Sequence, residues 1–172
     1  IYDTHMMESD LDNETRLYVD VGGGSTELTM YSEGKRILQD SFNVGTLRML
    51  QGQVSDDVWN SMKAAVKSSV KGVKNLTVIG SGGNINKLFS ISKTKDGKSL
   101  SVNQLDNYYK VMSNQSVVER MHEFNLRQER AEVIVPALQI YTSILKWADI
   151  TEIGVPRIGL ADGLIRELYY NG

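Results

Sequence analysis

The chain has 172 residues, 41% of them hydrophobic, which is enough to close one sizeable core; its formal net charge is -2 and it contains no cysteine. There is no global basic field to hold nucleic acid or an anionic membrane, and neither a disulfide framework nor a thiolate metal site can form. No apolar run approaches the ~20 residues of a membrane span. The absence of cysteine suits a reducing compartment, so a cytoplasmic location is expected; the opening "IYDTHMMESD" lacks the basic and apolar regions of a signal peptide. That opening also lacks an initiator Met, and the chain is expected to be a piece of something longer.

In chain order, Arg16 to Val21 reads as a buried strand, and Thr26 to Ser32 with Lys35 to Asn43 as a hairpin turning at "SEGK", where Gly34 can take positive φ. Ser55 is a helix N-cap candidate with Asp56 and Asp57 in the first turn, followed by Val58, Met62, Ala65, Val66, Ser69, Val70 and Val73 at helical spacing. A short apolar run, Leu76 to Ile79, enters "GSGGNINKLFSI", whose glycines lead into a helix carrying Ile85, Leu88 and Phe89. Further helices are predicted around Asn103 to Met112, from Ser116 with a Ser116/Glu119 capping box, and from about Glu129 to Ala148, where Pro136 would kink the helix unless it lies in the first turns. A strand at Thr151 to Val155 and a helix over "GLADGLIRELYY" close the chain. Nothing marks an internal linker, so residues 1–172 are expected to form a single α/β domain. The order βββαβα is that of a ribonuclease-H-like lobe, a mixed β-sheet with helices on both faces.

Two glycine loops carry the chemistry. In "LYVDVGGGSTEL", Gly22, Gly23 and Gly24 allow backbone N–H groups to converge on an anion, because no Cβ blocks positive φ or close approach of a phosphate. Ser25 and Thr26 add hydroxyl donors. Asp20 at the strand end and Glu27 beyond the loop would repel that phosphate unless a hard cation such as Mg²⁺ lay between them. A strand follows this loop and no Gly-Lys-Ser/Thr closes it, which excludes a Walker A motif. The second loop, "GSGG" with Gly82 and Gly83, opens a helix, where dipole and free N–H groups both favour phosphate. Each loop alone could be a turn, but two of them, each after a buried strand, suggest a phosphate chain gripped from two sides.

"DVGGGSTEL", "SFNVGTLRML", "GSGGNINKL", "RAEVIVPALQIY" and "GLADGLIREL" together resemble the exopolyphosphatase / guanosine pentaphosphate phosphatase family, of the sugar kinase, heat-shock-70 and actin superfamily. The resemblance implies the second lobe of a two-lobe, actin-like hydrolase that removes terminal phosphate from inorganic polyphosphate or guanosine pentaphosphate, a substrate tied to the stringent response. By the same resemblance Asp20 and Glu27 are catalytic carboxylates that hold Mg²⁺ or position water, Gly22 to Thr26 form the phosphate loop, and Gly82 and Gly83 the second one. It places the catalytic base on a first lobe, outside this chain, so the isolated chain is expected to bind but hardly to turn over. A homodimer is a further expected association. Ala161 stands where an arginine is common in the family, and Asn84 and Asn86 replace smaller residues, either to add polar contacts or, the first reading, to cap the helix.

Other side chains have plainer readings. Lys63, Lys67, Lys71 and Lys74 form a basic stripe that could track polyphosphate but reads first as a solvated helix face. Arg48 and Arg130 read as structural ion-pair partners ahead of substrate contacts, His5 and His122 as surface or packing residues, and Trp59 and Trp147 as core. Two alternatives to the hydrolase stay open: an ATP-binding lobe of a kinase or actin-like protein, and a non-catalytic module that senses phosphorylated ligands.

Overall fold

The computed structural model of the chain describes residues 14–156. A mixed sheet in the order β3-β2-β1-β4 is its centre: β1 (Thr15–Val21) runs antiparallel to β2 (Thr26–Ser32) and parallel to β4 (Leu76–Ser81), and β3 (Lys35–Phe42) forms the exposed edge. The β2–β3 turn has both Glu33 (φ 50°) and Gly34 (φ 72°) in the left-handed region, the geometry whose twist suits a two-residue hairpin. A short helix α1 (Thr46–Leu50) and an amphipathic α2 (Asp56–Ser69) connect β3 to β4. Ser55 caps α2 by accepting a hydrogen bond from the Val58 N–H, and Met62 and Val66 are the buried face.

After β4 come α3 (Gly83–Ser92), the short β5 (Leu100–Ser101), α4 (Val102–Ser113), α5 (Val117–Glu123), the long α6 (Gln128–Trp147) and β6 (Glu152–Ile153), which pairs with β5. Capping boxes start two of these helices: Ser116 with Glu119 at α5, and Ser101 with Gln104 at α4. Pro136 lies inside α6 and fully within the core, so the carbonyl one turn earlier, that of Glu132, is left without its helical N–H partner.

Strand alternation divides the sheet into two faces. Leu17, Val19, Leu28, Met30 and Val78 point into a core shared with Ile85, Leu88, Ile134, Leu138 and Tyr141 of the helices. Full burial of each such aliphatic side chain stabilises the fold by roughly 1.5–3 kcal/mol relative to exposure. The other face is buried too: Tyr18, Thr29 and Ile79 are nearly inaccessible, and Tyr18 packs edge-on to Tyr31 at 5.9 Å. Trp59 and Trp147 meet edge-on at 5.3 Å beside the helical core.

Among the described residues no helix is long and apolar enough to cross a membrane. Of the basic stripe, Lys63 is half-buried and Lys67, Lys71 and Lys74 are exposed, and His122 is exposed. The helix expected over "GLADGLIRELYY", with Ala161, and His5 lie outside the described residues.

Candidate functional site

Asp20, the last but one residue of β1, is flanked in the sheet by Glu27 of β2 and Ser81 of β4, and Ser41 of β3 stands beyond Glu27. Partners across paired strands share a face, so the four side chains make a row of oxygens at one end of the sheet. Two carboxylates directly opposite each other repel, an arrangement that a cation relieves. Asp20 is half-buried and Glu27 exposed, and the Ser81 hydroxyl is buried with no hydrogen-bond partner among the described residues. The donor set is therefore all oxygen, with an unsatisfied hydroxyl beside it, and fits a hard cation that keeps part of its water. No group of three or more His, Cys, Asp or Glu side chains placed to hold a metal ion occurs among the described residues.

The first glycine loop begins immediately after β1. The Thr46 N–H donates to the Gly22 carbonyl (3.0 Å), the Leu47 and Arg48 N–H groups to that of Gly23 (2.9 and 3.3 Å), and Arg48 Nε to that of Gly24 (2.7 Å). All peptide bonds described are trans, so each of these carbonyls has its companion N–H on the opposite side. The N–H groups of Gly23, Gly24 and Ser25 thus turn away from α1, and they have no partner among the described residues. Three successive unpaired donors on one side of a loop are the kind of arrangement an anion can occupy.

The glycines do not take the positive φ that the expectation allowed them. None of Gly22, Gly23 and Gly24 has positive φ; a side chain would be crowded at Gly22 and Gly23 but not at Gly24. A methyl at Gly23 would lie 2.9 Å from Leu47 Cδ1, and one at Gly45, just before α1, would overlap the Gly23 carbonyl. Thr26 corrects the expected list of phosphate donors: it is fully buried and its hydroxyl donates to the Val44 carbonyl (2.6 Å), where it tethers the segment leading to α1. Ser25 is half-buried.

At the second loop Gly82 has φ 93° and is the N-cap of α3, with no side chain capping the helix and no acid in its first turn. A methyl on Gly82 would stand 2.7 Å from Asp20 Oδ1, so this loop abuts the carboxylate that precedes the first. Asn84 is not a cap. It is buried, donates from Nδ2 to the Val21 carbonyl (3.0 Å) and accepts from Arg130 Nη1 (2.5 Å), binding α3 to the end of β1. Tyr141, on the same face of α6, donates to the Ser81 carbonyl (2.9 Å).

Arg48 and Arg130 are in no ion pair among the described residues, contrary to expectation; both serve the glycine loops, Arg130 with its guanidinium against Gly83. A guanidinium at a helix N-terminus meets the positive end of the dipole, an unfavourable pairing that an anion between them reverses. Ser81 and Arg130 could not be found from spacing, because strand register and the crossing of α6 place them. A cavity of about 280 Å³ opens elsewhere, at the start of β4, lined by Leu76, Thr77, Ser99, Thr151 and Glu152.

Fold and site together define a ribonuclease-H-like α/β lobe in which two glycine loops meet at a carboxylate. The chain belongs to the Ppx/GppA phosphatase family, which it matches over residues 5–171. It is similar to the solved structure of the Aquifex aeolicus Ppx/GppA phosphatase in its type II variant (20% identity, TM-score 0.71, covering 94% of this chain and 58% of that one). It is also similar to that of an exopolyphosphatase from Cytophaga hutchinsonii (18% identity, TM-score 0.72, covering 93% and 58%). The likeness at these identities is one of fold, and the chain spans less than two thirds of either neighbour's length. No curated protein matches the chain.

Proposed function

We propose that this chain is the phosphate-gripping lobe of a phosphoanhydride hydrolase that shortens inorganic polyphosphate or removes the terminal phosphate of guanosine pentaphosphate. Family membership supports the reaction class, and the exopolyphosphatase neighbour supports polyphosphate as a substrate. The observation that carries the reading is the nest at Gly23, Gly24 and Ser25, with its carbonyls held on one side and its donors presented on the other. Gly82, Gly83 and Arg130 form the second grip, so that a phosphate chain is bound by backbone donors rather than by a basic surface.

Asp20 and Glu27 would hold Mg²⁺, with Ser81 beside them. The ion, when bound, neutralises phosphate oxygens and acidifies the water it carries. The Asp20 carboxylate lies next to Gly82 and would direct a bound ion toward the second loop. The neighbours' greater length supports a further lobe that completes the cleft and brings the base, with catalysis resting on positioning and charge stabilisation. A cytoplasmic location suits either substrate, and a homodimer is compatible with one exposed sheet edge at β3.

The test is a calorimetric titration of the chain with tripolyphosphate, with and without Mg²⁺, alongside a phosphate-release assay. The expected result is weak, Mg²⁺-dependent binding and no release, with release restored when the chain is joined to its other lobe. ATP binding more tightly than tripolyphosphate would contradict it and favour the ATP-binding lobe.

A further inference from the structure

The loop carbonyls are not all secured alike. Those of Gly22 and Gly23 are held by main-chain N–H groups of α1, which persist whatever side chains the helix carries. In this way the first turn of α1 spends its otherwise unpaired donors on the loop. The Gly24 carbonyl is held, among the described residues, by a side chain alone: Nε of half-buried Arg48 at 2.7 Å. Gly24 itself is exposed, and a methyl there would meet nothing within 4 Å, so packing does not restrain this peptide. The peptide between Gly24 and Ser25 is consequently the one free to turn over. Turned over, it would present a carbonyl oxygen in place of the Ser25 N–H and repel the anion that the nest is built to hold.

We propose that Arg48 is a positioning residue for phosphate binding: its guanidinium fixes the Gly24–Ser25 peptide plane with the Ser25 N–H directed into the nest, acting through the loop and not on the phosphate. The inference rests on the phosphate reading given above. It accounts for an arginine in "GTLRML" that has no ion pair among the described residues. It also accounts for Gly45, whose lack of a side chain lets the chain pass over the Gly23 carbonyl and bring Arg48 within reach of Gly24.

The test compares wild type with Arg48→Ala and Arg48→Lys by titration with tripolyphosphate and Mg²⁺ at several salt concentrations, following the amide NMR signals of Gly24 and Ser25. Removing one charge-assisted hydrogen bond is expected to weaken binding about tenfold in Arg48→Ala. Arg48→Lys, which keeps a single cationic donor, should recover part of the loss. The salt dependence of affinity should match wild type, because no charge facing the ligand has gone. In Arg48→Ala the Gly24 and Ser25 signals should broaden or move while those of β1 stay. Unchanged affinity in a folded Arg48→Ala would overturn the proposal, and so would a loss accompanied by a shallower salt dependence, which would put the guanidinium on the phosphate. If Arg48→Ala does not fold, Arg48→Lys decides, and unfolding of both overturns the proposal in favour of a purely structural arginine. Absence of binding by wild type would instead overturn the phosphate reading on which this inference stands.

Discussion

The two glycine loops solve one problem by different physics. At the second, Gly82 must be glycine for the fold itself: its φ of 93° is strained for other residues and a side chain would strike Asp20. At the first, the backbone stays outside the left-handed region, and the position with most open space, Gly24, has no steric reason within the described fold to lack a side chain. A glycine that the fold requires says little about ligands. One that it does not require points to something outside the chain that comes close.

Breaking the carboxylate that both loops share should have the largest effect. Asp20→Asn in the protein joined to its other lobe is expected to lower phosphate release about a hundredfold or more, the scale on which removal of one electrostatic stabiliser acts. Its melting temperature should stay near wild type. Normal release, measured on tripolyphosphate, would remove Asp20 from the site; a large stability loss would make it structural.

Gly82→Ala sharpens the contrast from the required side. The left-handed backbone costs an L-residue roughly 1–2 kcal/mol, to which the collision with Asp20 adds. Denaturant unfolding should therefore show a loss of about that size, and tripolyphosphate binding should weaken in the same variant. An unaltered midpoint would mean that the loop conformation is not the one described.

The smallest effect is expected at the far end of β1. Glu14 accepts hydrogen bonds from the Thr77 hydroxyl and from Arg16 Nη2 (3.0 Å). The Thr77 bond is the main influence holding its pKa below the usual 4.5; partial burial opposes it, and Arg16 lowers the pKa further. A lowered folded-state pKa contributes stability above the unfolded value that is lost as pH falls through the folded one. Glu14→Gln should thus cost at most about 1 kcal/mol at pH 7. The difference from wild type should shrink once the pH drops below 4.5. A difference that persisted undiminished into strong acid would contradict this, and binding of tripolyphosphate should not change at all.

Much of this arrangement can be read from local sequence. Strands with β-rich alternation, the turn at Gly34, the Ser55 cap and the Ser116/Glu119 box all lie where short-range chemistry puts them. Both glycine loops and Asp20 were visible for the same reason, as each is encoded in a few consecutive residues. What escaped was set by distant partners. The helix Thr46–Leu50 is only five residues long, too short for a periodic signal, and it is held by the loop it clamps. Thr26 looked like a phosphate donor because nothing local shows that its hydroxyl is taken by Val44. Asn84 looked like a cap because its bonds run to Val21 and Arg130, residues 63 and 46 positions away. Ser81 meets Asp20 only through parallel strand register, which no short segment encodes.

The central claim, that the first loop is open for a phosphate, is tested most directly by Gly24→Ala, read by tripolyphosphate titration with Mg²⁺ and by thermal unfolding of the same preparation. Because the added methyl meets nothing in the fold and restricts the unfolded chain, the melting temperature should hold or rise slightly. Affinity should fall about tenfold, as the methyl intrudes where the anion approaches the nest. Wild-type affinity in this variant would contradict the account, since it would leave the glycine without a ligand to make room for.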